Sequence, residues 1–445
     1  MLLRSLIFIA GTGLLGVSLI SAFAADAMPP GFGPNPDLPA PQSNLLPTIK
    51  VAPAVGWPKG EKPSTPADLA ATAYATDLQH PRWLYVLPNG DVLVAETNGP
   101  KRPEDSKGIK AWFQKLFQKR AGAKAPSADR ITLLRGLKPD GSAEEKSVFL
   151  ENLHSPFGMA LAGNDLYVAD TDKLLKFPYQ SGDTTITAAP VKVADLPGGA
   201  LNHHWTKNVI AGPDGSKLYV TVGSNSNAGE NGLDKEEDRA RILEIDPKSG
   251  TTRPFATGLR NPNGMAWEPT SNTLWTVVNE RDELGDDLVP DYLTSVRDGG
   301  FYGWPYSYFG QHLDPRIKDE DPEKVEKAIM PDYALGAHTA SLGLTFSSDK
   351  SLPSRFAQGA FVGQHGSWNR SAPSGYKVIF IPFANGKPSG PPEDVLTGFL
   401  DSDGQARGRP VGVAIGNDGA LLVADDVGNT IWRVSASGRT AERAE

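Results

Sequence analysis

The chain has 445 residues, no cysteine and a formal net charge of −8 at pH 7. The acidic balance argues against a nucleic-acid partner, because proteins of that class present basic patches that neutralise phosphates. The absence of cysteine excludes disulfides, thiol catalysis and thiolate metal sites.

Residues 1–24 have the pattern of an export signal. Arg4 precedes an apolar stretch at positions 6–20, and Ala22-Phe23-Ala24 is a small-x-small cleavage sequence. We expect cleavage after Ala24 and a periplasmic location. The uncharged run at 5–25 is long enough to span a bilayer, so an uncleaved anchor is the alternative. Residues 25–66 are largely Pro-rich and aperiodic, which predicts an extended linker or a strap over the following domain.

One short pattern recurs six times between residues 67 and 437. A turn with Pro or Gly leads into a small apolar strand, and a Gly, Asn or Asp turn then leads into a strand of the form Leu-x-Val-Ala. Clear copies of the second strand begin at Val92, Leu166, Leu274 and Leu421, and looser copies of the whole pattern lie at 209–222 and 342–362. Unevenly spaced repeats of this kind predict propeller blades with loop insertions.

The predicted fold class is therefore all-β, a six-bladed β-propeller with loop insertions and one short amphipathic helix, followed by a polar tail at 438–445. The 47 glycines and 38 prolines suit short strands joined by many turns. Such a propeller places its site at one end of the central channel, on the loops between strands.

The amphipathic helix is predicted for residues 107–124, which interrupt the first repeat. Five apolar residues fall on one face at helical spacing, and six cations meet no acidic residue within the segment. The segment either packs on the propeller with a solvated basic face or lies on an anionic membrane surface with its aromatic residues buried. The second alternative would place the protein on the periplasmic side of the inner membrane.

Polar residues stand where the chain enters or leaves the repeat strands. His203-His204 precede the third repeat, where a histidine is either a base or a hydrogen-bonded surface residue. Arg260-Asn261 enter the fourth repeat, where an arginine either satisfies loop carbonyls or holds a planar carboxylate or quinone oxygen. The carboxylate-rich run at 279–287 is either a solvated turn or a hard-cation site. Further polar and cationic residues follow at 364–370 and 407–409.

Several of these runs together resemble the soluble dehydrogenases that oxidise sugars with pyrroloquinoline quinone (PQQ). They are a histidine before Gly-Pro-Asp-Gly at 212–215, Gly-Leu-Arg-Asn-Pro-Asn-Gly at 258–264, Asn-Glu-Arg-Asp-Glu-Leu-Gly at 279–285 and Gly-Phe-Tyr-Gly-Trp-Pro at 300–305. His-Gly-Ser-Trp-Asn-Arg at 365–370 brings the chain nearest to the L-sorbosone dehydrogenase branch. The resemblance covers residues 77–434.

The resemblance implies a quinoprotein dehydrogenase that oxidises a sugar aldehyde or an aldose by hydride transfer to PQQ. It selects His204 over His203 as the general base, because His204 stands eight residues before the glycine of Gly-Pro-Asp. It implies that Arg260 polarises the reacting quinone carbonyl. The other implied residues are Asn261, Arg370, Lys377 and Arg409 for PQQ, and the main-chain carbonyls of Arg281 and Asp282 for Ca²⁺.

Two departures from the glucose-oxidising members argue against glucose as the preferred substrate. Lys207-Asn208 stand where those enzymes have an arginine after the base, and Arg281-Asp282 replace Gly-Pro in the metal loop. The electron acceptor implied for reduced PQQ is a membrane quinone or a cytochrome.

Two other functions are compatible with the same repeats. A Ca²⁺-dependent six-bladed propeller lactonase or related hydrolase would need no quinone, so a PQQ requirement for turnover separates it from the dehydrogenase. A non-catalytic periplasmic binding propeller would reduce no dye with any aldose or aldehyde, since a fold alone does not dictate a function.

Overall fold

The computed structural model describes residues 28–42, 48–100, 126–318, 321–348 and 350–438. The predicted export signal at 1–24, the predicted amphipathic helix at 107–124 and nearly all of the tail lie outside these residues. Within the described ranges, no helix is both long enough and apolar enough to cross a membrane.

The described residues confirm the six-bladed β-propeller. Strands β1 (Phe32–Gly33) and β2 (Leu69–Ala75) come first. Blade 1 contains β3 (Pro81–Val86), β4 (Val92–Glu96), β5 (Arg130–Arg135) and β6 (Glu145–Leu150). Blade 2 contains β7 (Met159–Ala162), β8 (Asp165–Ala169), β9 (Lys173–Pro178) and β10 (Val191–Asp195). Blade 3 contains β11 (Val209–Ala211), β12 (Leu218–Val222), β13 (Arg241–Ile245) and β14 (Thr252–Thr257).

The later blades carry most of the additions. Blade 4 begins with β15 (Pro262–Trp267), β16 (Leu274–Val278) and β17 (Pro290–Ser295). An insertion with β18 (Gly300–Phe301), β19 (Ser307–Tyr308), β20 (His312–Leu313) and helix α1 (Pro322–Glu326) precedes its last strand, β21 (Tyr333–Ala337). Blade 5 contains β22 (Ser341–Phe346), β23 (Gly359–Gln364), β24 (Lys377–Ala384), β25 (Lys387–Pro388) and β26 (Glu393–Leu396). Blade 6 contains β27 (Pro410–Ile415), β28 (Leu421–Asp425) and β29 (Thr430–Ala436); short 3₁₀ turns lie at Leu233–Glu236 and Ser354–Phe356.

The ring of blades is closed by the N-terminal strand β2. It pairs antiparallel with β29 from Leu69 opposite Ala436 to Ala75 opposite Ile431, and so becomes the fourth strand of blade 6. The first and last repeats of the chain are therefore neighbours in space. This pairing joins the two ends of the array into a ring, in which the blades keep only short, protected sheet edges.

The core consists of the contacts between blades. In the described part of the chain, six buried apolar clusters lie one at each junction of neighbouring blades. In β4, for example, Leu93 faces blade 2 and the next residue, Val94, faces blade 6. Because successive strand residues point to opposite faces and both faces are covered, the second strands are apolar throughout rather than alternating. This explains the Leu-x-Val-Ala pattern.

Glycine recurs near the start of four inner strands, where neighbouring blades approach closely. A Cβ atom at these positions would lie 2.1–2.8 Å from a main-chain atom of the next blade, closer than side chains are found. These glycines thus set the spacing of the inner strands. The contacts join Gly158 to Val209, Gly264 to Leu344, Gly343 to Val411 and Gly412 to Arg82.

The antiparallel order of the strands decides which loops share a face. The loop between the second and third strands of each blade opens on the same face as the connection from the fourth strand to the next blade. We call this face the upper face. It carries all the polar loops singled out in the sequence, at 196–208, 258–261, 279–289, 365–376 and 397–409.

Residues 48–64 cross blades 5 and 6. The main-chain nitrogen of Lys50 donates to the Trp368 carbonyl at 2.8 Å, and that of Val55 donates to the Ala406 carbonyl at 2.8 Å. The Trp57 indole packs edge-on against Phe399 and Trp432, with its Nε1 donating to Asp425 Oδ2 at 2.7 Å. These contacts extend the N-terminal segment over the propeller as a strap.

Candidate active site

Two groups of buried polar side chains lie on the upper face. The base group comes from loops of blades 3 to 5 and comprises His204, Ser224, Asn227, Arg260, Asn261, Asp282, His338 and Asn369. The Asp426 group comes from blades 5, 6 and 1 and comprises His80, Arg82, His365, Arg409 and Asp426. The Arg82 guanidinium lies 5.8 Å from the centre of the Trp205 ring, next to His204 in sequence, so the two groups are neighbours.

His204 is held as a neutral imidazole with one nitrogen available as an acceptor. Its Nδ1 lies 2.8 Å from the Ser224 carbonyl oxygen, which can only accept a hydrogen bond, so Nδ1 carries the proton and Nε2 the lone pair. Burial and the positive charge of Arg260 lower the pKa of His204 well below its usual value of 6.5. The ring is therefore neutral at physiological pH and has the protonation state of a general base.

The side chains of Asn261 and His204 lie side by side against the main chain of Gly223. A Cβ atom at position 223 would lie 2.4 Å from both Asn261 Oδ1 and the Cβ of His204, so Gly223 is required there. Asn261 is buried, and its Oδ1 has no hydrogen-bond partner among the described residues. A buried amide oxygen without a donor is costly, which fits a ligand donor or water at this point.

Arg260 is fixed by four of its five N–H groups. Nε donates to the Asn227 carbonyl at 3.1 Å, and Nη2 donates to Asn227 Oδ1 at 3.0 Å. Nη1 donates to the carbonyls of Asn279 and Glu280 at 3.1 and 2.7 Å. The remaining N–H is on Nη2, which lies 3.6 Å from Asp282 Oδ2. A guanidinium held in this way is a preorganised positive charge beside His204.

Asp282 and His338 form a buried ion pair next to Arg260. His338 Nδ1 lies 3.2 Å from Asp282 Oδ1 and Nε2 lies 2.9 Å from the Gly285 carbonyl, so both ring nitrogens face acceptors and carry protons. Burial favours the neutral ring, but the hydrogen bond and charge of Asp282 outweigh it and raise the pKa of His338. Burial likewise opposes ionisation of Asp282, but His338 and Arg260 outweigh it and lower the pKa of that carboxyl.

The raised pKa of His338 makes part of the stability of this loop pH-dependent. The stabilisation is complete below pH 6.5, the usual value for histidine, and is lost as the pH rises through the folded-state pKa. His338→Gln should therefore destabilise the protein by about 1–3 kcal/mol near pH 6 and by less near pH 9, as measured by thermal unfolding. The exposed pair of His154 and Asp172 provides the control, since His154→Gln should cost less than about 1 kcal/mol. An equal loss in His338→Gln at both pH values would contradict the imidazolium assignment.

The Arg281 side chain is an anchor for the loop at 279–289. It is fully buried, with Nε 3.0 Å from Glu280 Oε2 and Nη1 3.0 Å from Asp314 Oδ2. Its other donors reach the carbonyls of Pro305 and Ser307 at 3.0 and 2.7 Å. The guanidinium therefore ties this loop to the insertion of blade 4.

One of the two predicted calcium ligands, the main-chain carbonyl of Asp282, does not fit a metal ion as the loop is arranged. The Asp282 carbonyl oxygen accepts from Asn227 Nδ2 at 3.0 Å and from Arg316 Nη1 at 2.7 Å. Both lone pairs of that oxygen are used, and one of the donors is itself a cation, which would repel Ca²⁺. Among the described residues, no group of three His, Asp or Glu side chains is placed to hold a metal.

Two of the predicted PQQ ligands are each paired with a carboxylate outside the base group. Arg370 donates from Nε to the Asp286 carbonyl at 2.9 Å and from Nη2 to Asp287 Oδ1 at 2.7 Å. Lys377 donates from Nζ to Asp394 Oδ1 at 2.6 Å, toward the outer strand of blade 5. The structure thus brings together His204, Arg260, Asn261 and Asp282 but not Arg370 or Lys377.

The predicted ligand Arg409 lies in the Asp426 group, which sequence reasoning otherwise missed. Asp426 Oδ2 accepts from Arg82 Nη1 at 2.8 Å and from His365 Nε2 at 2.9 Å. Burial opposes ionisation of Asp426, but His365, His80 and Arg82 outweigh it and lower its pKa. The repeat could have drawn attention to Arg82. It follows the proline of the first repeat, where Phe157 and Val411 follow the proline in other repeats, so a charged residue stands at an apolar position.

A family model described as TrAA12-like matches residues 133–291 and 307–437. An uncharacterized protein of Borreliella burgdorferi is 29% identical over 294 residues, covering 64% of this chain and 76% of that protein. A PQQ-dependent pyranose dehydrogenase of Coprinopsis cinerea is 32% identical over 293 residues, which are 52% of this chain and 39% of that protein. The holo form of the pyranose dehydrogenase PQQ domain from the same fungus has a TM-score of 0.67 at 19% identity, covering 87% of this chain and 100% of that one, and so shows a shared fold.

Proposed function

This chain belongs to the TrAA12-like family, and on that premise we propose that it is a quinoprotein dehydrogenase that oxidises a sugar aldehyde or an aldose with PQQ. The observation that carries the proposal is the neutral His204, with Nδ1 bonded to Ser224 and Nε2 free to accept a proton, beside the fixed guanidinium of Arg260. The PQQ-dependent pyranose dehydrogenase among the relatives supports the choice of cofactor.

The upper face suits a cofactor with several carboxylates and a quinone. Arg82 and Arg409 place guanidinium groups there whose buried Nε atoms have no partner among the described residues. Asn261 adds an unpaired amide oxygen. Guanidinium N–H groups that are buried without an acceptor fit a rigid polyanion, because burying an unpaired donor is costly. On this observation the residues fit PQQ, held by Arg82, Arg409 and Asn261.

When bound, PQQ supplies the quinone that accepts the hydride from the substrate. His204 Nε2 takes the proton of the substrate hydroxyl, so that a hydride and a proton together leave the sugar carbon and oxygen in a two-electron oxidation. The hydrogen bond from Nδ1 to the Ser224 carbonyl keeps the ring oriented for that transfer. The positive charge of Arg260, fixed beside His204, would stabilise negative charge that develops during the transfer.

For the substrate we propose an L-sorbosone-type aldehyde, oxidised as its hydrate to the acid, with aldoses as the broader class. The support is the sequence resemblance at 365–370 and the position of Lys207. This lysine is fully buried, with Nζ 3.2 Å from the Trp205 carbonyl and 3.4 Å from Asn202 Oδ1. Lys207 therefore does not present to the site the cation that follows the base in the glucose-oxidising enzymes.

The location and the electron acceptor are also proposals. The export signal at 1–24 supports a periplasmic enzyme, and a membrane quinone or a cytochrome is the acceptor class that we propose. Strand β4 ends and strand β5 begins on the upper face, and residues 107–124 lie between these strands in the sequence. A basic amphipathic helix in that segment would bring the candidate site toward an anionic membrane surface.

The experiment that tests the function is reconstitution of the cofactor-free protein with PQQ, followed by dye reduction with L-sorbosone, D-glucose and other aldoses. We expect turnover only with PQQ, and we expect turnover to survive EDTA because Arg316 already occupies the predicted calcium ligand. Lactone hydrolysis without PQQ would favour the hydrolase. Absence of dye reduction with every sugar in the presence of both PQQ and Ca²⁺ would favour the binding propeller. A strict Ca²⁺ requirement would show that the Asp282 loop rearranges when the cofactor binds.

A further inference from the structure

We propose that Arg82 and Arg409 together grip one carboxylate of the anionic cofactor, with Asp426 positioning Arg82 for this contact. The inference rests on the proposed function and assigns Arg82, a residue of the first repeat, to the cofactor site. It also replaces Arg370 and Lys377 as the principal anion-binding cations.

The ring closure brings the two arginines together. Arg82 lies on β3, the inner strand of blade 1, and Arg409 directly precedes β27, the inner strand of blade 6. These inner strands touch, since a Cβ atom at Gly412 would lie 2.8 Å from the Arg82 carbonyl. Burial lowers the pKa of Arg82, and the positive charge of Arg409 is close enough to lower it further.

The two guanidinium groups of this site differ in their partners. Arg82 is paired with Asp426, but Arg409 has no carboxylate partner among the described residues. Its guanidinium lies 4.8 Å from the centre of the Tyr376 ring and donates to the Ala52 carbonyl at 3.4 Å. Both arginine side chains are shielded, with Arg409 4% exposed and the Arg82 side chain 13% exposed. A second buried carboxylate, that of Asp425, accepts from the Arg409 main-chain N–H at 2.7 Å and from the indoles of Trp57 and Trp432, not from the Arg409 guanidinium. The Arg409 guanidinium is therefore the group that an anion would neutralise.

The unused donors point to the same ligand. The Nε atoms of Arg82 and Arg409 are buried and have no partner in the described part of the chain. A carboxylate offers two oxygens to such donors and is the group that guanidinium N–H atoms recognise best. Asp426 Oδ2, by contrast, is used by Arg82 and His365 and holds the Arg82 guanidinium in place.

Arg370 and Lys377, the other two cations predicted from the sequence, are more exposed and have carboxylate partners. The Arg370 and Lys377 side chains are 25% and 30% exposed and already paired with Asp287 and Asp394. A carboxylate of the cofactor would have to displace those partners. Arg82 needs no such exchange, because Asp426 Oδ2 occupies its Nη1 and leaves Nε for the ligand.

The test is PQQ binding to the cofactor-free protein, measured by quenching of tryptophan fluorescence. We expect Arg82→Gln to raise the Kd for PQQ about tenfold or more, the factor expected for loss of one charge-assisted hydrogen bond. Arg130→Gln is the matched control, since Arg130 also pairs with a buried carboxylate of blade 1, that of Glu96, and should leave the Kd within about twofold. Thermal unfolding of each variant reports whether it is folded.

A second variant separates ligand contact from a structural role. Arg82→Lys keeps the charge beside Asp426 but removes Nε, so it should also weaken PQQ binding if Nε meets the ligand. If folded Arg82→Gln binds PQQ with wild-type affinity, the inference is wrong and the proposed function still stands. If Arg82→Gln does not fold, wild-type affinity in Arg82→Lys has the same meaning. Failure of the wild-type protein to bind PQQ would overturn both.

Discussion

His204→Ala should lower kcat for sugar oxidation by about 10²-fold or more, which is the range expected for loss of a positioned general base. The reason is the pairing of Nδ1 with the Ser224 carbonyl, which leaves Nε2 as the basic atom of a neutral ring. PQQ binding should persist, because the cations proposed to hold the cofactor are elsewhere on the upper face. The measurement is steady-state dye reduction at saturating PQQ, with cofactor affinity determined separately for each variant.

The neighbouring histidine is the control for this experiment. His203→Ala should retain kcat within a fewfold of wild type, because the described contacts with Ser224 and Asn261 belong to His204. The two variants also share the same loop, so a general disturbance of that loop would affect both. Loss of kcat in His203→Ala with near-normal kcat in His204→Ala would show that the other member of the pair is the base.

The pH dependence of the reaction follows from the same site. Burial and Arg260 lower the pKa of His204, so the imidazole should become protonated, and the rate should fall, only well below pH 6.5. The acid limb of kcat/KM should therefore lie on the acid side of the value for free histidine. An acid limb above pH 6.5 that persists in His204→Asn would assign it to another group.

Arg281→Leu should produce the largest loss of stability among the substitutions considered, about 3–5 kcal/mol. The side chain is fully buried, and its removal would leave the carboxylates of Glu280 and Asp314 in the protein interior without their cation. It would also strand the carbonyls of Pro305 and Ser307 that it now satisfies. Thermal unfolding with the cofactor absent measures this effect without a contribution from ligand binding.

An exposed arginine with the same connectivity provides the comparison. Arg253 also bridges two carboxylates, those of Glu244 and Asp298, but its side chain is 45% exposed. Arg253→Leu should therefore cost no more than about 1 kcal/mol, since water compensates exposed charges. Equal losses in the two variants would mean that Arg281 is not the anchor of the loop at 279–289.

The sequence alone was sufficient for the architecture and for part of the site. Each blade is encoded by turn residues and apolar strands that are close together in the chain, so the repeat predicted the propeller and the face on which its polar loops meet. Arg260 and Asn261 directly precede the inner strand β15, and His204 lies in the short segment before the inner strand β11. Because the inner strands converge, residues in that position are brought together whatever the conformations of the longer loops.

Only the tertiary structure decided how the charged side chains are paired. Arg82 and Asp426 are 344 residues apart and meet because β2 closes the ring against β29. Arg370 and Lys377 have sequence neighbourhoods that suit an anion site, yet carboxylates from other segments neutralise them. Arg316 reaches the Asp282 carbonyl from the insertion of blade 4. Long charged side chains form ion pairs across blade junctions. The sequence around each residue does not show which partner from another segment lies nearest in space.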